Sequence, residues 1–416
     1  MQRQLSINLG NILLSLSEIT DMANPTIAQH QQRTSYIALE IAKCANANIE
    51  LSENIFSAAL LHDIGALSVE EKMLVHNFET TNYELHCIRG EILLEQIPWF
   101  QKVAKIIRHH HTRWSLWDAS IDDPDVLASQ VIQLADYVER LIDRDKYILH
   151  QSDDIIAAVK KLCSNTIHED VVNYFLEASR REEFWLDIAS PRLYPLLLRH
   201  GPYRNIEIDL DGVALITEAY KGIIDFKSRY TATHSAGVSA CGEILSRLFG
   251  LSEIDVRLMK IAGDLHDIGK LIIPNSILEK PGKLTKEEFA VIRSHTYYTY
   301  YVINTIDGLQ HIAKWAAYHH EKLDGSGYPF RCKADEIDTG SRIMSVADIF
   351  TAIVEDRPYR PGMSKDNIYK VLNDQTDSNL LDSRIVDLLF DNYDEVHSYV
   401  KNKQASGQAF YESRFG

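Results

Sequence analysis

Proline and glycine are scarce, 11 and 19 among 416 residues, too few for an all-β chain built on many tight turns. The five cysteines (Cys44, Cys87, Cys163, Cys241, Cys332) are scattered, odd in number and without Cys-x-x-Cys spacing. That pattern argues against a disulfide framework and predicts reduced, mostly core-filling thiols of a cytoplasmic protein. No stretch of about 18 or more apolar residues occurs, so no membrane span is expected. Met1-Gln2-Arg3-Gln4-Leu5-Ser6 lacks a basic region with an apolar core behind it, so no secretory leader is expected either. Positive charge is in deficit: 43 Lys and Arg against 59 Asp and Glu leave a net charge of −16. This excludes the broad cationic face that binds polymeric nucleic acid. It does not exclude a small anionic substrate, which a few local cations or metal ions can hold. With 45% hydrophobic and 25% charged residues the chain is an ordinary globular one, long enough for two or three domains. Leu, Ile, Ala and Glu dominate, and an all-α fold is the expectation.

What the chain does contain is a repeat. Leu61-His62-Asp63-Ile64-Gly65 recurs as Leu265-His266-Asp267-Ile268-Gly269, an offset of 204. His30 precedes His62 by 32 residues, as His234 precedes His266; Asp21 precedes His30 by nine, as Asp225 precedes His234. His86 is followed 24 residues later by His110-His111, and His295 by His319-His320 at the same interval. Each copy then reaches an Ala-Asp within an apolar run, Ala135-Asp136 and Ala347-Asp348. The second copy is longer in two loop-like stretches, Ile273 to Gly282 and Asp324 to Pro329, and loops on a rigid scaffold carry function.

Between these positions the pattern is helical. Ile244, Leu245, Leu248 and Leu251 fall at three- and four-residue steps. Ile254 to Gly269 reads as one helix with Ser252 as N-cap, and Thr285 with Glu288 forms a capping box for the next. Residues 151–186 have helical spacing without His or Asp at the repeat's positions. Pro191, Pro195 and Pro202 cluster after them. The expected organisation is two tandem helical bundles: 1–186 with a helical extension, a linker at 187–206, and 207–416.

Histidine and aspartate in ordered sets are the donors of divalent-metal sites. A lone histidine is more often a surface or core residue, which is how His76, His150, His168 and His397 are read. Ten of the 17 histidines, however, sit in two sets with shared spacing. In a His-Asp pair the imidazole can take one metal while the neighbouring carboxylate bridges to a second.

The second half resembles an HD-GYP domain, the phosphodiesterase branch of the HD superfamily. The matching residues are His234, His266-Asp267-Ile268-Gly269-Lys270, His295, His319-His320-Glu321-Lys322-Leu323-Asp324-Gly325-Ser326-Gly327-Tyr328-Pro329 and Asp348, within about residues 207–375. The first half resembles a degenerate HD domain of the same lineage. The resemblance implies an HD-type helical bundle whose metal centre, usually iron or manganese, hydrolyses a cyclic dinucleotide. It implies His234, His266, Asp267 and Asp348 around one metal, and His295, His319 and His320 around another, with Asp267 bridging. Three-metal members carry a Glu where this chain has Tyr230, or Thr26 in the first copy, so a two-metal centre is expected. A hydroxide bridging the two metals would attack phosphorus and expel the ribose 3′ oxygen. Asp267 and Lys270 are thus the expected catalytic residues, and Lys270, Arg357 and Arg360 the expected substrate contacts. Arginine's planar fork suits phosphate or a base edge.

The first copy keeps His30, His62, Asp63, His86, His110, His111 and Asp136, a second set that could hold metal. His109-His110-His111 leaves the register of the pair open, and spacing favours His110 and His111. Ala66 replaces the lysine, and Thr112-Arg113-Trp114-Ser115-Leu116-Trp117 stands where the Gly-Tyr-Pro motif would be, so turnover there is not expected. The tandem arrangement is similar to family members that act on 3′3′-cyclic GMP-AMP; family frequency favours cyclic di-GMP. The alternatives are an HD phosphohydrolase acting on another nucleotide or (p)ppGpp, and a non-enzymatic signalling or scaffold module. A homodimer or a signalling partner would engage the N-terminal half.

Overall fold

The computed structural model describes residues 5–22, 24–77, 84–227, 233–355 and 361–415. Helices supply almost all regular structure; the strands among the described residues are Ile7–Asn8 and Glu207–Ile208, paired with each other. The fold is all-α. The chain divides into one compact unit of residues 8–207 and another of 208–416 joined by residues 1–7.

In the N-terminal unit the helix His30–Cys44 packs against Ile49–Leu61 and Pro124–Arg140. Their inward faces bury Ile37, Ile41, Phe56, Leu60, Val131 and Leu134, the three-to-four-residue apolar stripe of a core-facing helix. In the C-terminal unit His234–Phe249 packs against Glu253–Leu265 and Thr339–Val354, burying Val238, Leu245, Met259, Val346 and Phe350. The duplicated sequence thus yields the same central packing twice.

The spacing of nine between Asp21 and His30, and between Asp225 and His234, has a structural cause. Gln31 N donates to Asp21 Oδ2 at 2.9 Å, and Ser235 N donates to Asp225 Oδ1 at 3.2 Å. A buried Asp oxygen from a preceding helix accepts an orphan N–H at the first turn of the next. Each helix therefore starts at its histidine.

Ser252 caps its helix, accepting from Asp255 N at 3.1 Å. The capping box at Thr285 and Glu288 is complete, with N···O distances of 3.2 and 2.7 Å. The helix read as reaching Gly269 ends at Leu265, and Ile268–Ile272 forms a 3-10 turn instead. Gly269 N donates to Thr299 Oγ1 at 3.1 Å, and a Cβ on Gly269 would lie 1.9 Å from the His295 carbonyl oxygen. The tight turn brings Lys270 back to Asp267, whose carbonyl accepts from Lys270 N at 2.8 Å. Residues 187–206, read as a linker, lie in the N-terminal unit: Leu193–His200 is a helix, and Leu193, Leu197 and Tyr203 are buried. The prolines permit this because Pro191 precedes that helix and Pro195 falls in its first turn.

Candidate metal centres

The C-terminal unit brings His234, His266, Asp267, His295, His319, His320 and Asp348 to one place. His234 opens its helix, His266 and Asp267 terminate the next, His295 lies mid-helix in Lys286–Thr305, His319 and His320 sit in a 3-10 turn at 318–320, and Asp348 lies in Thr339–Val354. All but His320 are buried, and the His320 side chain keeps 31% exposure, which opens the site on that side.

The donors fall into two groups, each with ligand atoms within 4.8 Å of one another: His234, His266 and Asp348, and His295, His319 and His320. Asp267 stands between them. Its Oδ2 is 3.2 Å from His266 Nε2, and its Oδ1 is 3.4 Å from His295 Nε2 and 3.9 Å from His319 Nε2. Asp348 reaches His234 Nε2 at 3.1 Å and His320 Nδ1 at 3.8 Å. Lys270 Nζ lies 2.5 Å from Asp267 Oδ2.

Hydrogen bonding fixes which nitrogens face inward. The Nδ1 groups of His266, His295 and His319 donate to the carbonyls of Gly263, Ile292 and Ala316 at 2.8, 2.6 and 2.7 Å. A carbonyl can only accept, so each ring carries a proton on Nδ1 and turns Nε2 to the site; His295 and His319 present a lone pair there, while the neighbouring Asp267 carboxylate raises His266 against its burial. His295 Nε2 and His319 Nε2 then face each other at 3.3 Å, two lone pairs with no proton to share. Burial pushes His295 down to about 3 and His319 well below the usual histidine range, so neither is relieved by protonation. His266 Nε2 and Asp267 Oδ1 are buried without a hydrogen-bond partner. A donor set with inward lone pairs and an unsatisfied carboxylate oxygen fits divalent cations. Burial alone would raise the Asp267 carboxyl, but Lys270 and His266 hold it well below the carboxylate range and keep it ionised.

The Gly-Tyr-Pro loop closes over one edge. Glu321 accepts from the backbone N–H groups of Phe330, Arg331 and Cys332 at 2.7, 3.1 and 3.1 Å, tying the loop back to the His-His turn. A Cβ on Gly327 would meet Lys322 N at 2.4 Å and His320 O at 2.6 Å, so only glycine lets the loop lie there. The loop sets the Tyr328 ring 5.0 Å from that of His320.

The N-terminal unit assembles its set in the same manner. His30 Nε2 is 3.6 Å from Asp63 Oδ2, 3.5 Å from Asp136 Oδ1 and 3.2 Å from His62 Nε2. His86 Nε2 lies 3.6 Å from Asp63 Oδ1 and 3.3 Å from His110 Nε2. The His111 ring is 5.1 Å from that of His86, so the pair that joins the cluster is His110 with His111. Asp63 Oδ1 and Asp136 Oδ1 are buried without hydrogen bonds, so this set also could hold metal.

Several contributors escaped the sequence reading. Glu139, fully buried, takes His30 Nδ1 at 2.5 Å and is itself held by Arg144 at 2.9 Å. His76, read as unremarkable, has its ring 5.3 Å from that of His30 and its Nδ1 4.0 Å from Glu139. Glu139 lies one helical turn after Asp136, and that spacing was the available signal. Its counterpart is Thr351, and His234 Nδ1 has no hydrogen-bond partner among the described residues. Lys72, on the helix Val69–His76, is buried near Asp21 and Asp63, whereas Ala66, where the lysine would stand, follows the turn after His62. Tyr230, Arg357 and Arg360 lie outside the described residues; Thr26 is described and exposed.

Family models described as HD domain match residues 27–141 and 218–385. Each half of the chain is an HD domain. The two matches enclose the two histidine–aspartate clusters. The 3′3′-cGAMP-specific phosphodiesterase 1 of Vibrio cholerae is 28% identical over 402 residues, 94% of this chain and 93% of that protein. The cyclic di-GMP phosphodiesterase response regulator RpfG of Xanthomonas campestris is 36% identical over 168 residues, 40% of this chain and 44% of that one. A solved structure of a cyclic GMP-AMP-specific phosphodiesterase of V. cholerae has the same fold, with a TM-score of 0.63 at 21% identity, covering 96% of this chain and 98% of that one. No helix of the described residues is long and apolar enough to cross a membrane.

Proposed function

We propose that this HD-domain protein is a metal-dependent cyclic-dinucleotide phosphodiesterase whose chemistry resides in the C-terminal unit. One observation carries the assignment: two histidine groups share Asp267, with Lys270 against the same carboxylate and a Gly-Tyr-Pro loop at the open side. His234, His266 and Asp348 would hold one ion and His295, His319 and His320 the other, with Asp267 available to both. The mixed nitrogen and oxygen donors suit iron or manganese. When bound, divalent ions there would supply Lewis acidity and lower the pKa of water toward neutrality.

The residues do the rest. Lys270 keeps Asp267 ionised and meets the scissile phosphate, while Arg357 and Arg360 contact phosphate or a guanine edge. Water's oxygen bonds to phosphorus, the P–O3′ bond breaks, the 3′ oxygen takes a proton, and the linear dinucleotide keeps a 5′ phosphate. The preferred substrate is 3′3′-cyclic GMP-AMP, because the relative of that specificity matches over nearly its whole length; cyclic di-GMP is second. The N-terminal unit holds metal through His30, His62, Asp63, His86, His110, His111 and Asp136 without turning substrate over, and offers the surface for a second copy or a signalling protein. The organisation we assign is an HD unit, residues 8–207, ahead of a catalytic one, and the compartment is the cytoplasm. The test is hydrolysis of both dinucleotides side by side by the manganese- and ferrous-loaded protein. Linear product from at least one is expected; none from either, with metal bound, overturns the assignment.

A further inference from the structure

At the mouth of the C-terminal centre is a group that the metal chemistry leaves unused. Arg293 lies two residues before His295 on the helix Lys286–Thr305 and is exposed. Its guanidinium carbon sits 5.5 Å from the Phe289 ring centroid and 5.9 Å from that of Tyr328. Phe289 is 45% exposed, its ring edge-on to Tyr328 at 6.3 Å. Tyr328 in turn lies over His320 at 5.0 Å. An uninterrupted wall therefore runs from His320 through Tyr328 to Phe289 and Arg293. Arg293 forms no ion pair with any carboxylate among the described residues, and its guanidinium rests against these two rings.

An exposed aromatic beside an arginine without a carboxylate partner, at the edge of the metal centre, offers a ligand a stacking surface. Arginine planes and aromatic rings together are what stack a nucleobase, and the fork can also reach the base edge. The N-terminal unit supplies the contrast. The residue two before its corresponding histidine is Glu84, which pairs with Arg108 at 2.9 Å. Charge at this position is thus reversed and neutralised in the unit assigned no turnover.

We propose that Arg293 and Phe289, with Tyr328, form a base clamp that takes one purine of the dinucleotide while the scissile phosphate sits at the metal centre. The clamp rests on the phosphodiesterase reading above and adds the base contact that the metal centre does not supply. Base contacts made equally in ground and transition states set KM, whereas the metals and Lys270 set kcat.

The experiment is steady-state hydrolysis of 3′3′-cyclic GMP-AMP and cyclic di-GMP by the full-length manganese-loaded protein and by Arg293→Ala, Arg293→Lys and Phe289→Ala. Circular dichroism and bound manganese are measured on each. Arg293→Ala and Phe289→Ala raise KM about tenfold, with kcat within about twofold and metal content unchanged. Arg293→Lys stays several-fold impaired, because a point charge lacks the stacking plane. Wild-type protein that turns over a dinucleotide, with KM unmoved in both alanine variants, overturns the clamp alone. A loss of kcat together with bound manganese also overturns it, because the residues then support the metal centre. Wild-type protein that hydrolyses neither dinucleotide overturns the phosphodiesterase reading, and the clamp falls with it.

Discussion

Asp267→Asn is the sharpest perturbation of the C-terminal centre. It keeps the side chain's shape and removes one charge from the group that the two histidine sets share. Oδ1 faces His295 and His319 at 3.4 and 3.9 Å, and Oδ2 faces His266 at 3.2 Å and Lys270 at 2.5 Å. An amide offers one oxygen where two are needed and turns an N–H toward either a histidine lone pair or the Lys270 ammonium. Losing an outer partner of a metal ligand costs about 10–100-fold in metal affinity, so losing the shared ligand costs more than roughly 100-fold for at least one ion. Bound metal in the C-terminal unit falls from about two ions to one or none. Hydrolysis falls by about 1,000-fold or more, since the nucleophile and the phosphate clamp depend on the same pair. The assays are elemental analysis after gel filtration and chromatographic detection of the linear dinucleotide. Helicity stays native, because Lys270 keeps some solvent contact and is not left as a fully buried lone charge. The variant with full metal content and wild-type turnover would show that Asp267 is not shared between two ions.

The equivalent change in the N-terminal unit, Asp63→Asn, removes metal from that unit and leaves most dinucleotide hydrolysis in place; equal loss of activity from Asp63→Asn and Asp267→Asn would refute the placement of catalysis in the C-terminal unit. Glu139→Gln loosens the hold on His30 and weakens N-terminal metal retention by about 10–100-fold in a chelator titration; unchanged retention would make Glu139 a packing residue only. Gly269→Ala forces a Cβ to 1.9 Å from the His295 carbonyl, and a lower melting temperature of the C-terminal unit is expected, by a destabilisation of about 3 kcal/mol or more. Because Asp267 is held below the carboxylate range in the fold, the metal-free protein gains stability from it above the unfolded carboxyl value, near pH 4, and loses that stability as the pH falls further. The metal-free wild type is therefore more stable to denaturant than Asp267→Asn at pH 7, and the difference narrows as the pH falls below about 4; a difference that stays constant from pH 7 to pH 3 would refute the ionised state.

The repeat made the centre legible because metal donors must converge from several helices, and duplicated intervals of 32 and 24 residues survive only where the helices carrying them keep their register. The second sphere was less legible. Glu139 holds His30 from one turn beyond Asp136, but a glutamate at that spacing in a helix is usually a solvated residue. Nothing in composition separates a buried Glu139 from the exposed Glu177. Helix ends were read well where a side chain caps them, as at Ser252 and Thr285, since the capping group is local in sequence. The end at Leu265 was missed because its cause is not local: Thr299, some thirty residues on, takes the Gly269 N–H, and the His295 carbonyl leaves no room for a side chain there. Residues 187–206 read as a linker from their prolines, whereas Leu193 and Leu197 bury an apolar stripe that binds them into the N-terminal unit.

The two clusters share their inward imidazoles and differ in what surrounds them, and that difference bears on their division of labour. In the N-terminal unit Glu139 and Arg144 lock the back of His30, and Arg140 takes Asp136 Oδ2 at 2.9 Å. Partners outside the donor set fix ligands and favour tight, slow metal retention. In the C-terminal unit the corresponding Thr351 cannot brace His234. Lys270 lies against the shared carboxylate, His320 is partly open, and the Tyr328 loop forms one wall of the entrance. A site whose His30 and Asp136 are braced from behind is suited to keeping an ion, and a site with an open edge and a lysine beside the shared carboxylate is suited to admitting a phosphate. The same seven positions can therefore serve retention in one unit and turnover in the other, with the choice made by residues outside the repeat pattern.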